Sequence, residues 1–203
     1  AAAGKGTLAR ALAKTFNLAY LDTGALYRAT ALRTLRAGLD PAEAAAIAAQ
    51  AEAITPEDLA DPALRTEETG DMASKVSALT DVRAALLDYQ RGFAAEPPEG
   101  ARGAVLDGRD IGTVVCPEAD VKIFIFANDD VRAHRRWLEL SARGGDISEA
   151  QVLADMRARD ARDAERATAP MKAAEDAHLL DTSNLDIDAS FVAAKKIVMG
   201  TET

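Results

Sequence analysis

Four short, mostly unbroken apolar runs alternate with longer stretches of helical periodicity, and this alternation restricts the chain to few folds. The runs cover residues 18–21, 104–107, 121–127 and 179–181. Continuous hydrophobicity over so few residues reads as strands buried on both faces. Helices are predicted over residues 7–15, 25–37, 41–53, 67–77, 81–95, 130–143, 148–167 and 187–198, several with Ser, Asn or Asp at the start. Strand and helix in alternation give an α/β fold, a parallel sheet flanked by crossover helices. From residue 39 to 70 the composition turns to Ala, Glu and Asp with three prolines and no strand-like run, which reads as a helical insertion.

The first motif is at the start of the chain. Ala1-Ala2-Ala3-Gly4-Lys5-Gly6-Thr7 leads into an amphipathic helix, as a phosphate cradle does: glycines admit the backbone closely, successive N–H groups favour an anion, and a lysine reaches the outer phosphates. An ordinary helix start fits these residues equally well. On the cradle reading, a strand and the first glycine of the loop are expected before residue 1. Gly6 follows the lysine directly, with Thr7 one place later. GTPases and many ATPases carry Ser or Thr directly after that lysine, so the order here points to small-molecule phosphotransferases.

Other polar groups gather at strand ends, where α/β proteins bind ligands. Asp22-Thr23-Gly24 follows the first run, with Arg28 one helical turn on. After the second comes Asp107-Gly108-Arg109-Asp110-Ile111-Gly112-Thr113, in which Asp107 suits Mg2+ or its waters and Arg109 a phosphate. A salt-bridged turn is the alternative. Further on, Arg159, Asp163 and Arg166 share a helical face, while Arg162 and Arg166 form a like-charge pair that an anion would relieve; the helix's own aspartates would also neutralise them. Ser74 and Arg83 bracket a turn and carry little alone. His134 and His178 stand apart from the motifs, and neither a Ser/His/Asp set nor a His-rich metal site is present.

Charge sharpens this picture. Against 33 acidic residues stand 24 basic ones, a formal net charge of −9, which disfavours nucleic acid and membrane surfaces as partners. Yet 17 of the basic residues are Arg and eight of those fall between Arg132 and Arg166, so a small anion remains a fitting ligand. Cys116 is the single cysteine, in keeping with a reducing, cytoplasmic setting. No apolar run is long enough to span a membrane.

Taken in order, these motifs, with Ala73-Ser74-Lys75-Val76 and the run from Arg159 to Pro170, resemble the bacterial cytidylate kinases of the P-loop nucleoside monophosphate (NMP) kinase group, over essentially the whole chain. The resemblance implies phosphoryl transfer from ATP to CMP or dCMP with Mg2+, by a monomer. It implies a core (residues 1–38, 78–131 and 167–203), an NMP-binding insertion (39–77) and a lid with its flanking helices (132–166). ATP would lie on Ala1, Ala2, Ala3, Gly4, Lys5, Gly6 and Thr7. CMP would meet Thr23 and Arg28, with Arg28, Arg109 and Arg166 on its phosphate, Ser74, Arg83 and Asp110 on cytosine, and Arg159 and Asp163 on the sugar. Lys5, Arg28, Arg109, Arg159 and Arg166 would be the catalytic set. Family members often have a longer insertion with a small sheet, so residues 39–70 depart from the pattern. Kinases of UMP, AMP or another phosphorylated metabolite, and a nucleotide-binding regulator without turnover, are the alternative readings.

Overall fold

The computed structural model describes residues 2–166 and 168–200. All four apolar runs form strands: β1 (Ala19–Asp22), β2 (Ala104–Asp107), β3 (Ile123–Phe126) and β4 (His178–Asp181). β1 pairs with β2 in parallel, Ala19 opposite Ala104 through Asp22 opposite Asp107. β3 pairs with β4 in parallel, Ile123 opposite His178 through Phe126 opposite Asp181. Among the described residues the two pairs are not hydrogen-bonded to each other. Helix α1 (Lys5–Phe16) spans the seam between them, touching β1 and β2 while its Leu8 and Leu12 pack with Ile123 and Ile125 of β3, Leu180 of β4 and Ala194 of α9 (Ile187–Gly200).

The middle of the chain is helical: α2 (Thr23–Ala37), α3 (Ala44–Glu52), α4 (Pro56–Ala60), a 3-10 turn Pro62–Arg65, α5 (Glu67–Val76) and α6 (Thr80–Ala95). Short α4 exists because Thr55 and Asp58 cap it reciprocally and Pro56 occupies the first turn. Leu26, Ala31, Ile47, Ala51, Ala73, Val76, Val82 and Leu86 bury one continuous core across α2, α3, α5 and α6. Arg33 of α2 fastens α3 through Gln50 and α4 through Asp58.

A second helical pair, α7 (Asp129–Ala142) and α8 (Glu149–Ala164), is closed by a turn at Gly144, which takes a left-handed conformation at φ 82°. Its small core is Ala133, Val152 and Met156 beneath Trp137, whose indole N–H donates to the Ile147 carbonyl. Helix α8 ends at Ala164, short of the predicted 167, so Arg166 comes from the turn that follows; Ala167 lies outside the described residues. No helix among the described residues is long and apolar enough to cross a membrane.

Candidate active site

One cavity of about 410 Å³ opens at the carboxyl ends of the strands, within the size range of nucleotide pockets. Its wall brings together Ala2, Ala3, Lys5, Gly6, Thr23, Arg28, Ser74, Arg83, Asp107, Arg109, Asp110, Arg159, Asp163 and Arg166, residues spread over more than 160 positions of sequence. Gly4 and Thr7 are exposed and do not line it, and Ala1 lies outside the described residues.

At the loop end, Lys5 Nζ pairs with Oδ1 of Asp107, the buried last residue of β2, tying the start of α1 to the strand. The Thr182 hydroxyl holds the loop from the other side by donating to the Ala3 carbonyl at 3.0 Å. Thr23, expected as an acceptor contact, already donates its hydroxyl to the Asp107 carbonyl at 2.8 Å, so it joins the β1 and β2 ends as well as lining the cavity. The turn after Asp107 must be glycine. A Cβ on Gly108 would stand 2.5 Å from Thr23 Oγ1 and 2.6 Å from Ile111 Cδ1. Gly108→Ala is therefore expected to destabilise the fold by about 2 kcal/mol, the scale of an overpacked interior, lowering the thermal midpoint by several degrees. An unchanged midpoint in calorimetry would show that this turn has slack. Beyond it, residues Ile111–Val115 form a π-helical turn that the sequence reading did not anticipate, its carbonyls Val114 and Val115 capped by Arg91.

The arginines meet deeper in. Asp163, 1 % exposed, receives Arg166 Nη2 on one oxygen, while Arg109 Nη1 stands 2.5 Å from the other. Arg159 lies beside them with its Nε buried and without a hydrogen-bond partner. Burial, reinforced by Arg109 and Arg28 nearby, pulls its pKa down to about 10. A guanidinium does not give up its proton in a protein. The shift instead reflects a burial cost that the nearby carboxylates of Asp163 and Asp160 offset only in part. Burial likewise lowers the Arg28 pKa, with Arg136 the next contributor, and here its Nη1 donates to the Leu64 carbonyl at 2.7 Å. Arg162 does not share this cluster. It turns to Asp71 of α5 at 3.3 Å while Arg166 turns to Asp163, so carboxylates relieve the like-charge pair, in Arg166's case one of the helix's own aspartates as the alternative reading held.

At the far end stands a neutral polar group. Arg83, 8 % exposed, pairs with buried Asp110 and donates to the Ser77 carbonyl at 3.1 Å, an oxygen that Arg166 also approaches at 3.4 Å. Ser74 Oγ beside it is buried without any hydrogen-bond partner. An orphaned buried polar atom is uncommon in a folded protein, and this one faces the cavity wall. The sequence reading missed several other wall residues: Tyr27, Asp160, Met171 and Arg132, the last held by Asp129 and by Asp160 at 2.5 Å. No group of three or more His, Cys, Asp or Glu among the described residues could hold a metal ion.

An α/β core with a glycine-lysine loop at one end of its cavity, and a desolvated arginine set at the other, defines a P-loop kinase of small phosphorylated acceptors. The comparison with known families narrows this: the cytidylate kinase family matches residues 1–197, and the chain belongs to that family. Similar proteins named cytidylate kinase occur in Rhodospirillum rubrum (57% identical over 198 residues, 98% of this chain and 93% of that protein), Rhodopseudomonas palustris strain BisB18 (58%, with 98% and 92%) and Paramagnetospirillum magneticum (56%, with 98% and 93%).

Proposed function

We propose that the protein transfers the γ-phosphoryl group of ATP to CMP or dCMP, giving ADP and CDP or dCDP. The observation that carries the choice of acceptor is the base end of the cavity, where Ser74 Oγ is unpartnered beside the buried Arg83–Asp110 pair. Cytosine offers an amine donor with a ring nitrogen and a carbonyl as acceptors. A carboxylate with about four lone-pair sites accepts the amine while keeping its arginine, and the arginine and serine donate to the acceptors. In uracil a carbonyl replaces the amine and would face the Asp110 carboxylate.

In this reading the acceptor phosphate lies among Arg28, Arg109 and Arg166, the sugar against Arg159 and Asp163, and the ATP phosphates along Ala2 to Thr7 with Lys5 reaching the transferred group. Thr23 contributes its position at the mouth. An ionised oxygen of the CMP phosphate forms the new O–P bond as the bond from γ-phosphorus to the ADP oxygen breaks, so no general base is needed. The residues' work is alignment and neutralisation of two polyanions. Asp107, a lone buried carboxylate next to Lys5, fits Mg2+ that keeps most of its ligands as phosphate oxygens and water. Asp107 would hold such an ion, directly or through water, and the ion would supply further neutralisation of the phosphate charge. Residues 39–77 serve as the NMP-binding unit and residues 132–166 as the lid that excludes water. The working form is a monomer in the cytoplasm.

A coupled ADP-release assay across CMP, dCMP, UMP and AMP tests the reading. CMP and dCMP are expected to exceed UMP in kcat/KM by about a hundredfold, the scale of one mispaired buried polar group. Preference for AMP would reject the cytosine assignment.

A further inference from the structure

The reading above uses Arg83 but not what holds Arg83 in place. Arg83 Cζ lies 5.5 Å from the centroid of the Tyr27 ring, inside the range in which a guanidinium is attracted to an aromatic face. Tyr27 comes from α2 and lines the same cavity. Its ring packs against the core of α2, α3, α5 and α6, so the surrounding helices set its position. Arg83 in turn has its two terminal nitrogens engaged, one by Asp110 and one by the Ser77 carbonyl. Those two bonds and the covalent link at Nε hold the group from its edge, and the Tyr27 ring adds a contact over its central carbon from α2.

We propose that Tyr27 is a positioning residue for base selection: its ring face orients the Arg83 guanidinium, so that Arg83 and Asp110 together present one donor–acceptor pattern to the pyrimidine edge. This deepens the CMP-kinase reading and rests on it for the identity of the base. Discrimination by hydrogen bonds depends on direction as well as distance, so a tilted guanidinium would bind CMP more weakly and reject UMP less. Phosphoryl transfer itself, several groups away, would be little changed.

Replacing Tyr27 with phenylalanine and then with 4-fluoro-, 3,5-difluoro- and pentafluorophenylalanine drains the ring's negative face at nearly constant shape. KM for CMP is expected to stay near the wild-type value for Tyr27→Phe and to rise to about tenfold across the fluorinated series, the scale of a desolvated cation–π contact. Over the same series kcat and KM for ATP should stay within about threefold, and the CMP-over-UMP ratio should shrink. Tyr27→Leu should behave like the end of the series. A KM for CMP that is flat across the series overturns the proposal, as does a rise in KM matched by an equal fall in kcat.

Rotation about the Arg83 Cζ–Nε bond, followed by NMR in the protein without nucleotide, gives a reading free of any acceptor. It should quicken with fluorination while the Arg109 and Arg166 signals hold. If CMP proves a poor acceptor yet Arg83 rotation follows the series, the cytosine assignment fails and the positioning stands. If CMP is the acceptor and rotation does not respond, the positioning fails alone.

Discussion

Replacing Arg109 with alanine is expected to lower kcat/KM for CMP by about a thousandfold, while ATP binding measured by calorimetry stays within about twofold of wild type. The size follows from what the residue does. Arg109 leaves the turn after β2 and reaches Asp163 at 2.5 Å and Asp160 at 4.0 Å, so its fork is held where the acceptor phosphate is proposed to sit. Removing one pre-placed charged donor from a desolvated transfer site costs 10²–10³ in typical enzymes, and arginines that neutralise a moving phosphoryl group cost about 10³–10⁵. The fold should tolerate the change, because Asp163 keeps Arg166. Arg109→Lys should recover only part of the loss, since an ammonium restores charge without the planar fork. A loss below tenfold would remove Arg109 from the transfer site. Full turnover loss with ATP binding intact would separate this protein from a nucleotide-binding regulator, whose behaviour depends on no acceptor.

Asp110→Ala is expected to destabilise the fold by about 3–5 kcal/mol, lowering the thermal midpoint by about 10 °C or more for a chain of this length. Arg83 would keep only the Ser77 carbonyl and the Tyr27 ring in a pocket where it is 8 % exposed. An uncompensated buried cation is far more costly than the pair is stabilising. Asp110→Asn, which keeps an acceptor and loses the charge, should fall between. The double variant Asp110→Ala with Arg83→Met should recover much of the midpoint while leaving CMP recognition lost. A midpoint within 2 °C of wild type for Asp110→Ala would mean that water or another group reaches Arg83.

Much of the fold was legible because its strands are short apolar runs set between helical stretches, but the expected burial on both faces does not hold: β4 leaves Leu179 65 % exposed and β3 leaves Phe126 38 % exposed, because no helix covers those positions. Residues 104–107 coincide with β2, and 67–77 differ from α5 at one end by one residue. Capping chemistry holds the starts of α2 and α8, where Asp22 accepts from the Ala25 N–H and Ser148 from the Gln151 N–H, but Asn128 at the start of α7 makes no such side-chain bond. What escaped depends on contacts distant in sequence. The π-helical turn at Ile111–Val115 is held from outside by Arg91, and α4 is too short for its periodicity to stand out. Ser74 and Arg83 are unremarkable locally. They acquire meaning once α5 and α6 bring them to Asp110, which the family pattern anticipated and helical periodicity did not. Tyr27 had a place in a motif but no role, because an aromatic residue on the inner face of a helix reads as core until the cation over its ring is seen.

The pair α7–α8 carries a consequence through its separate small core. Ala133, Val152 and Met156 pack within the pair with Ala2 of the loop against them, and the other links to the rest of the molecule include polar ones: Arg135 to the Thr182 and Leu185 carbonyls, Arg162 to Asp71, and Arg136 toward Glu67 at 3.9 Å. Two of these links, Arg162 to Asp71 and Arg136 toward Glu67, join solvent-exposed groups of α5 and are screened over about 8 Å at physiological ionic strength, whereas the buried Arg109–Asp163 pair is screened far less. Rising salt therefore loosens the side of the pair that faces α5 and spares the side that faces the cavity.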